Sequence, residues 1–100
     1  MYKIKVFAKR PDSNWYVTNV SNTLENLQSF VEGYIETATI AKDVVVICNE
    51  EGLIRGMPRS CTILNHDFFG PVLIAGVDGD EFADVPITFA EAKAIGLCKD

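Results

Sequence analysis

Val44-Val45-Val46-Ile47-Cys48 is an almost uninterrupted β-branched run, the composition of a central strand buried on both of its faces. A chain that holds such a strand must build a sheet around it and shield that sheet from water. The run ends at Asn49-Glu50-Glu51-Gly52, which suits a type I turn with Asn at its start and Gly in the left-handed position. Leu53-Ile54-Arg55 then reads as a brief return strand of a central hairpin. Gly56-Met57-Pro58 stops it early, because proline cannot donate to a ladder.

The rest of the chain supplies partners for that strand. Residues 2 to 8 alternate, with Ile4, Val6 and Ala8 on one face and Lys3, Lys5 and Phe7 on the other. Turn chemistry at Pro11-Asp12-Ser13-Asn14 joins this strand to a second, Trp15 to Val20, which completes an N-terminal hairpin. Asn22-Thr23-Leu24-Glu25 has capping-box spacing, and Leu24, Leu27, Phe30 and Val31 follow on one helical face. A short helix is predicted over 23 to 32, ended by Gly33 in the left-handed conformation. Tyr34 to Ile40 alternates again as a strand, and Cys61 to Leu64 is a further candidate. Beyond the polar link Asn65-His66-Asp67, the apolar run Phe68 to Val77 contains Pro71, so its strand begins near 72. Asp78-Gly79-Asp80-Glu81 is a turn, and Thr88-Phe89-Ala90-Glu91 repeats the capping box to open a helix over 88 to 97. The order predicts an α+β domain: a mainly antiparallel sheet of about five or six strands with two helices packed on one face.

One hundred residues, 48% of them hydrophobic, are the material of a single domain over 1–100 with a core of its own. No apolar stretch is long enough for a membrane span and the alternating N-terminus is unlike a signal peptide, so a cytoplasmic protein is expected. Three irregularly spaced cysteines are then read as reduced, mostly buried thiols. The net charge is −5, unevenly spread: residues 1 to 10 carry Lys3, Lys5, Lys9 and Arg10, whereas Asp67, Asp78, Asp80, Glu81, Asp84 and Glu91 fall between 60 and 92 without a Lys or Arg. Four cations at one end are a thin supply for a phosphate backbone, so nucleic acid is not the expected partner. An acidic face can attract a basic protein surface or imitate DNA, or simply keep the domain soluble.

Motifs for catalysis are absent. A thiol enzyme needs a cysteine activated by histidine, and Cys61 with His66, the one histidine, stands in no supporting pattern. Cys48, Cys61, His66 and Cys98 contain no close ligand pair for zinc. The stretch from Asp78 fails as a calcium loop, because its fifth position is Phe82 and its twelfth, which should be a bidentate Glu, is Phe89. The seven glycines lack phosphate-cradling order. Glu50 and Glu51, at a turn tip, are exposed to water, without the burial that acid catalysis requires. No cofactor or metal is expected. The segment left is Glu50 to Arg59, where Glu50, Glu51, Arg55, Met57, Pro58 and Arg59 combine charge, an apolar side chain and a rigid ring beside the central hairpin. Closure of Leu53 and Met57 over the core is the alternative role.

Leu27-Gln28, Gly33-Tyr34-Ile35-Glu36, Val46 to Gly52, Gly56-Met57-Pro58 and Phe69 to Gly76 resemble the pattern of domain-of-unknown-function family 3846. The resemblance spans about residues 2 to 84, and the turn Cys48 to Gly52 followed by a glycine and a proline is its most specific part. Members often have two glycines before the Tyr-Ile-Glu, where this chain has Glu32-Gly33, and an asparagine soon after the proline, where it has Arg59-Ser60. The family has no established activity, and the resemblance implies a small protein of bacteria, phages and mobile elements. Two functions are expected from it and from the residues. One is a non-enzymatic accessory protein that binds a protein partner through Glu50 to Arg59 or through the acidic C-terminal half. The other is a small-ligand binder that sequesters, for example, a nucleotide signal.

Overall fold

The computed structural model describes residues 2–99. Along the chain run β1 (Lys3–Lys9), β2 (Tyr16–Ser21), α1 (Leu24–Val31), β3 (Ile35–Ala41), β4 (Val44–Asn49), β5 (Arg59–Ile63), β6 (His66–Phe69), β7 (Val72–Asp78), β8 (Glu81–Ala83) and α2 (Phe89–Ala94). Six strands form one antiparallel sheet in the order β2-β1-β7-β4-β3, with β8 also on β7; β5 and β6 form a separate two-stranded sheet. The expected class is therefore the observed one, α+β around a mainly antiparallel sheet.

β4 is buried at all six positions, as its β-branched run requires. Val44, Val46 and Cys48 share a face with Phe7, Val72 and Ile74, while Val45 and Ile47 share the other with Ile4, Val6, Ala8, Leu73 and Ala75. Each face has its own cover. Leu27 and Val31 of α1 close the second face; Ala92 of α2, with Leu97 and Cys98, closes the first beside Cys61 and Ile63 of β5 and Phe68 of β6. The two helices, expected together on one face, thus lie on opposite faces. A sheet whose central strands are apolar on both sides is exposed to water on one of them if both helices gather on the other.

The return strand expected at Leu53-Ile54-Arg55 does not form, and with it goes the central hairpin. Residues 51–56 coil through tight turns, in which the N–H groups of Arg55, Gly56 and Met57 donate to the carbonyls of Glu51, Leu53 and Gly52 at 2.8, 3.1 and 2.9 Å. Leu53 and Ile54 are 68% and 86% exposed, so no apolar gain favours an extended ladder there. A hairpin arises later instead, between β5 and β6, across Leu64-Asn65. Both residues have positive φ, 49° and 69°, as the tightest hairpin turns demand. His66 and Asp67, read as a polar link, are consequently strand residues.

The termini of α1 depart from expectation by single positions, whereas α2 stops three residues short. Thr23, not Asn22, caps α1 by accepting from the Asn26 N–H; Asn22 donates to the Phe82 carbonyl at 3.0 Å. At the other end it is Glu32 that takes the left-handed conformation, at φ 66°. Gly33 is needed for another reason: a Cβ there would stand 2.7 Å from Asn49 Nδ2 and 2.9 Å from the Arg55 guanidinium. Since a side chain in the left-handed region costs about 1–2 kcal/mol, Glu32→Gly is expected to stabilise the domain by about 1 kcal/mol in urea unfolding. An unchanged or lower midpoint would contradict that account. The capping box of α2 forms as read, between Thr88 and Glu91, but the helix ends at Ala94.

Lys9, counted with the N-terminal cations, is buried. Its ammonium donates to the Ser60 carbonyl at 2.6 Å and to the Arg10 carbonyl at 3.3 Å, which ties the start of β5 to the end of β1. Among the described residues no helix is long and apolar enough to cross a membrane.

Candidate functional site

The turn at Cys48 to Gly52 is a clasp on the end of α1. Asn49 is buried, its side-chain amide donating to the Val31 carbonyl at 2.9 Å and its Oδ1 accepting from the Glu51 N–H at 2.7 Å. The Glu50 N–H donates to the Tyr34 carbonyl at 2.9 Å, and the Arg55 guanidinium to the Glu32 carbonyl at 2.9 Å. The bonds to the Val31 and Glu32 carbonyls satisfy groups that a helix C-terminus leaves unpaired. Gly33 lets the clasp approach. A second contact holds the far side, where the Gly70 N–H donates to the Pro58 carbonyl at 2.9 Å and Met57 lies over Gly70.

The six side chains singled out between Glu50 and Arg59 do not converge. Glu50 lines a cleft of about 540 Å3. Met57 and Pro58 line a smaller cavity of about 300 Å3 with Arg10 and Glu32, and Arg59 lines a third near Ile95. Arg59 also donates to Thr62 Oγ1 at 2.8 Å. Arg55 is engaged on α1, and Glu51 is exposed outside the cleft. As a composite binding surface the segment is dispersed by its own coiling, which points successive side chains in different directions.

The largest of these three cavities lies where the upper layer stops short of the sheet's edge. On the first face the cover runs from α2 through β5 to β6, and β3, the terminal strand, is left partly open. The cleft is floored by Ala38, Ile40 and Cys48, walled by Ile63, Phe68 and Phe69, and closed at one end by Gly52 and Leu53. Its acidic lining is Glu36, Glu50 and Asp67, with His66 beside them and no Lys or Arg. The sequence showed each of these groups singly but not their meeting. Glu36 sat in an ordinary alternating strand, and Asp67 was read as part of a link. Asn65, a turn former with αL tolerance, was the signal that could have placed His66 and Asp67 on a strand.

Two of the thiols, Cys48 and Cys98, are chemically quiet. Burial, with Glu36 nearby as the smaller cause, pushes Cys48 up from its ordinary 9.0 to about 11. Burial, reinforced by Cys61 and opposed by Lys93, pushes Cys98 up to about 12. At neutral pH both are protonated and poor nucleophiles. Both values are raised in the fold, so the stability these thiols allow is whole below about pH 9 and is lost as pH rises through 11 to 12. Among the described residues no group of three or more His, Cys, Asp or Glu side chains is placed to hold a metal ion.

Residues 4–94 match the model of a family described as a domain of unknown function, DUF3846. No curated protein and no solved structure matches the chain.

Proposed function

We propose that this chain, which belongs to the DUF3846 family, is a non-enzymatic accessory protein of a phage or mobile element that binds a cationic region of a protein partner. The binding surface is the cleft between β3 and β6, with Glu50 the one contribution from the Glu50 to Arg59 segment. The observation that carries this reading is the lining, three carboxylates and no Lys or Arg around an apolar floor. Such a surface rewards a partner that presents Lys or Arg beside apolar side chains, and the net charge of −5 steers it inward. The phage or mobile-element setting rests on the resemblance. Protonated Cys48 and Cys98 thiols favour binding over thiol catalysis.

A small-ligand binder is the second reading, because the cleft volume lies within the range of ligand pockets, about 300–1,000 Å3. Charge narrows it: a nucleotide is anionic and the lining is acidic. A peptide library displayed on phage and selected against the purified chain tests the first reading. Enriched sequences are expected to alternate Lys or Arg with apolar residues, and to bind a Glu36→Lys/Glu50→Lys variant at least about tenfold more weakly. Selection without cationic bias, or equal binding to the variant, would overturn it.

A further inference from the structure

We infer that the partner enters the cleft as an extended basic segment that adds a strand to the free edge of β3; this rests on the cleft being the binding surface. The argument begins with the ladder. The Glu50 N–H bonds to the Tyr34 carbonyl, and the register of β3 on β4 runs from Ile35 opposite Asn49 through Glu36 opposite Cys48 to Ala38 opposite Val46. Antiparallel pairs alternate between hydrogen-bonded and non-bonded, so Tyr34, Glu36 and Ala38 bond towards β4. Ile35, Thr37 and Thr39 therefore direct their N–H and C=O groups away from the sheet. Among the described residues no strand pairs with them, because β3 ends the sheet order.

This edge is unguarded in sequence. Ile35 to Ala41 contains no Lys, no Pro and a single charge, Glu36, whereas unpaired edges are usually blunted by Lys or Pro. Its protection is a bulge at Ile40, which breaks the register between Thr39 and Ala41 and limits an added strand to the first five residues. β2, the opposite edge, is as poor in charge but lines none of the three cavities. Among the edge strands of the six-stranded sheet, only β3 lines one of these cavities: Thr37 and Thr39 are both in the lining of the cleft.

Main-chain bonds to β3 would supply affinity, and alternate side chains specificity, as in other strand-addition complexes. Side chains on the inner face of the added strand enter a cleft lined by Glu36 and Glu50, and by Asp67, whose Oδ1 already accepts from Thr62; this lining selects cations. A second copy of this chain is disfavoured as occupant, since each copy carries a net charge of −5.

The probe is a blocked hexapeptide of alternating Lys and Val, with two N-methylated forms, one methylated on every Lys and one on every Val. Strand addition predicts an asymmetry: one form binds like the parent and the other at least tenfold more weakly, because only one set of N–H groups faces β3. Hydrogen exchange should slow at Ile35, Thr37 and Thr39 and stay unchanged at Glu36 and Ala38. Thr37→Pro should weaken the parent peptide while the β3–β4 ladder persists, since only an outward N–H is lost. Equal binding of both methylated forms would overturn strand addition and leave the acidic cleft intact as the site. No binding of the parent peptide would overturn both. A dimer in solution that Thr37→Pro converts to monomer would overturn the basic segment in favour of a second copy.

Discussion

Phe7→Ala is expected to cost about 3–5 kcal/mol, a large share of the roughly 5–15 kcal/mol that keeps a domain folded. Phe7 is 1% exposed on the face of β1 opposite α1, paired in register with Ile74 of β7. Its ring meets Phe89 of α2 with centroids 5.3 Å apart at 54°, a tilted arrangement that favours aromatic pairs. Truncation removes the transfer gain of a full ring and leaves a cavity beneath α2 that the rigid centre of the sheet cannot collapse to fill. Thermal unfolding should show it as a fall in Tm of roughly 12 °C or more, at about 4–8 °C per kcal/mol for a domain of this size. A fall of only a few degrees would mean that Phe7 and α2 are not packed as described.

Gly52→Ala is expected to damage both stability and the cleft. Gly52 is buried, and a Cβ there would stand 2.5 Å from the Phe69 carbonyl oxygen and 3.3 Å from Phe69 Cβ. A main-chain carbonyl has no rotamer with which to yield, so β6 itself must shift, at an overpacking cost of about 1–3 kcal/mol. Because Phe69 and Gly52 both line the cleft, peptide binding should weaken together with the urea midpoint, and amide shifts should concentrate at 66–70. Gly56→Ala is the control. With φ at +74° it incurs backbone strain, but nothing lies within 4 Å of its would-be Cβ, so the cleft should be untouched. Equal effects of the two substitutions on binding would refute the proposed role of Gly52.

Much of the fold was legible because its signals are local. The alternation of Ile4, Val6 and Ala8 with Phe7, the capping box at Thr88 and Glu91, and the β-branched run of β4 each report a period or a terminus within a few residues. What misled were residues whose conformation is set by distant partners. Leu53 and Ile54 have strand chemistry, yet the bonds from Met57 and Arg55 back to the turn coil them outward. Glu32, not Gly33, holds the left-handed position, while Gly33 is required by the close approach of Asn49 and Arg55.

The candidate site was legible only in its ingredients. Glu50 was singled out and does line the cleft; Glu51, Arg55, Met57, Pro58 and Arg59 were singled out with it and lie elsewhere. The turn from Cys48 to Gly52 owes its Asn and Gly to the clasp on α1 and to close passage beneath Phe69.

The sequence by itself determined an antiparallel sheet with a two-sided apolar centre, because burial of alternate residues along a strand is written at period two. It also marked where the two helices begin, to within a residue. It took the packing of the layers to set one helix on each face, to leave β3 at an edge, and to bring Glu36, Glu50, His66 and Asp67 around one cleft. Those outcomes depend on which surfaces remain uncovered after the layers pack, a property of the whole assembly that no local pattern of residues encodes.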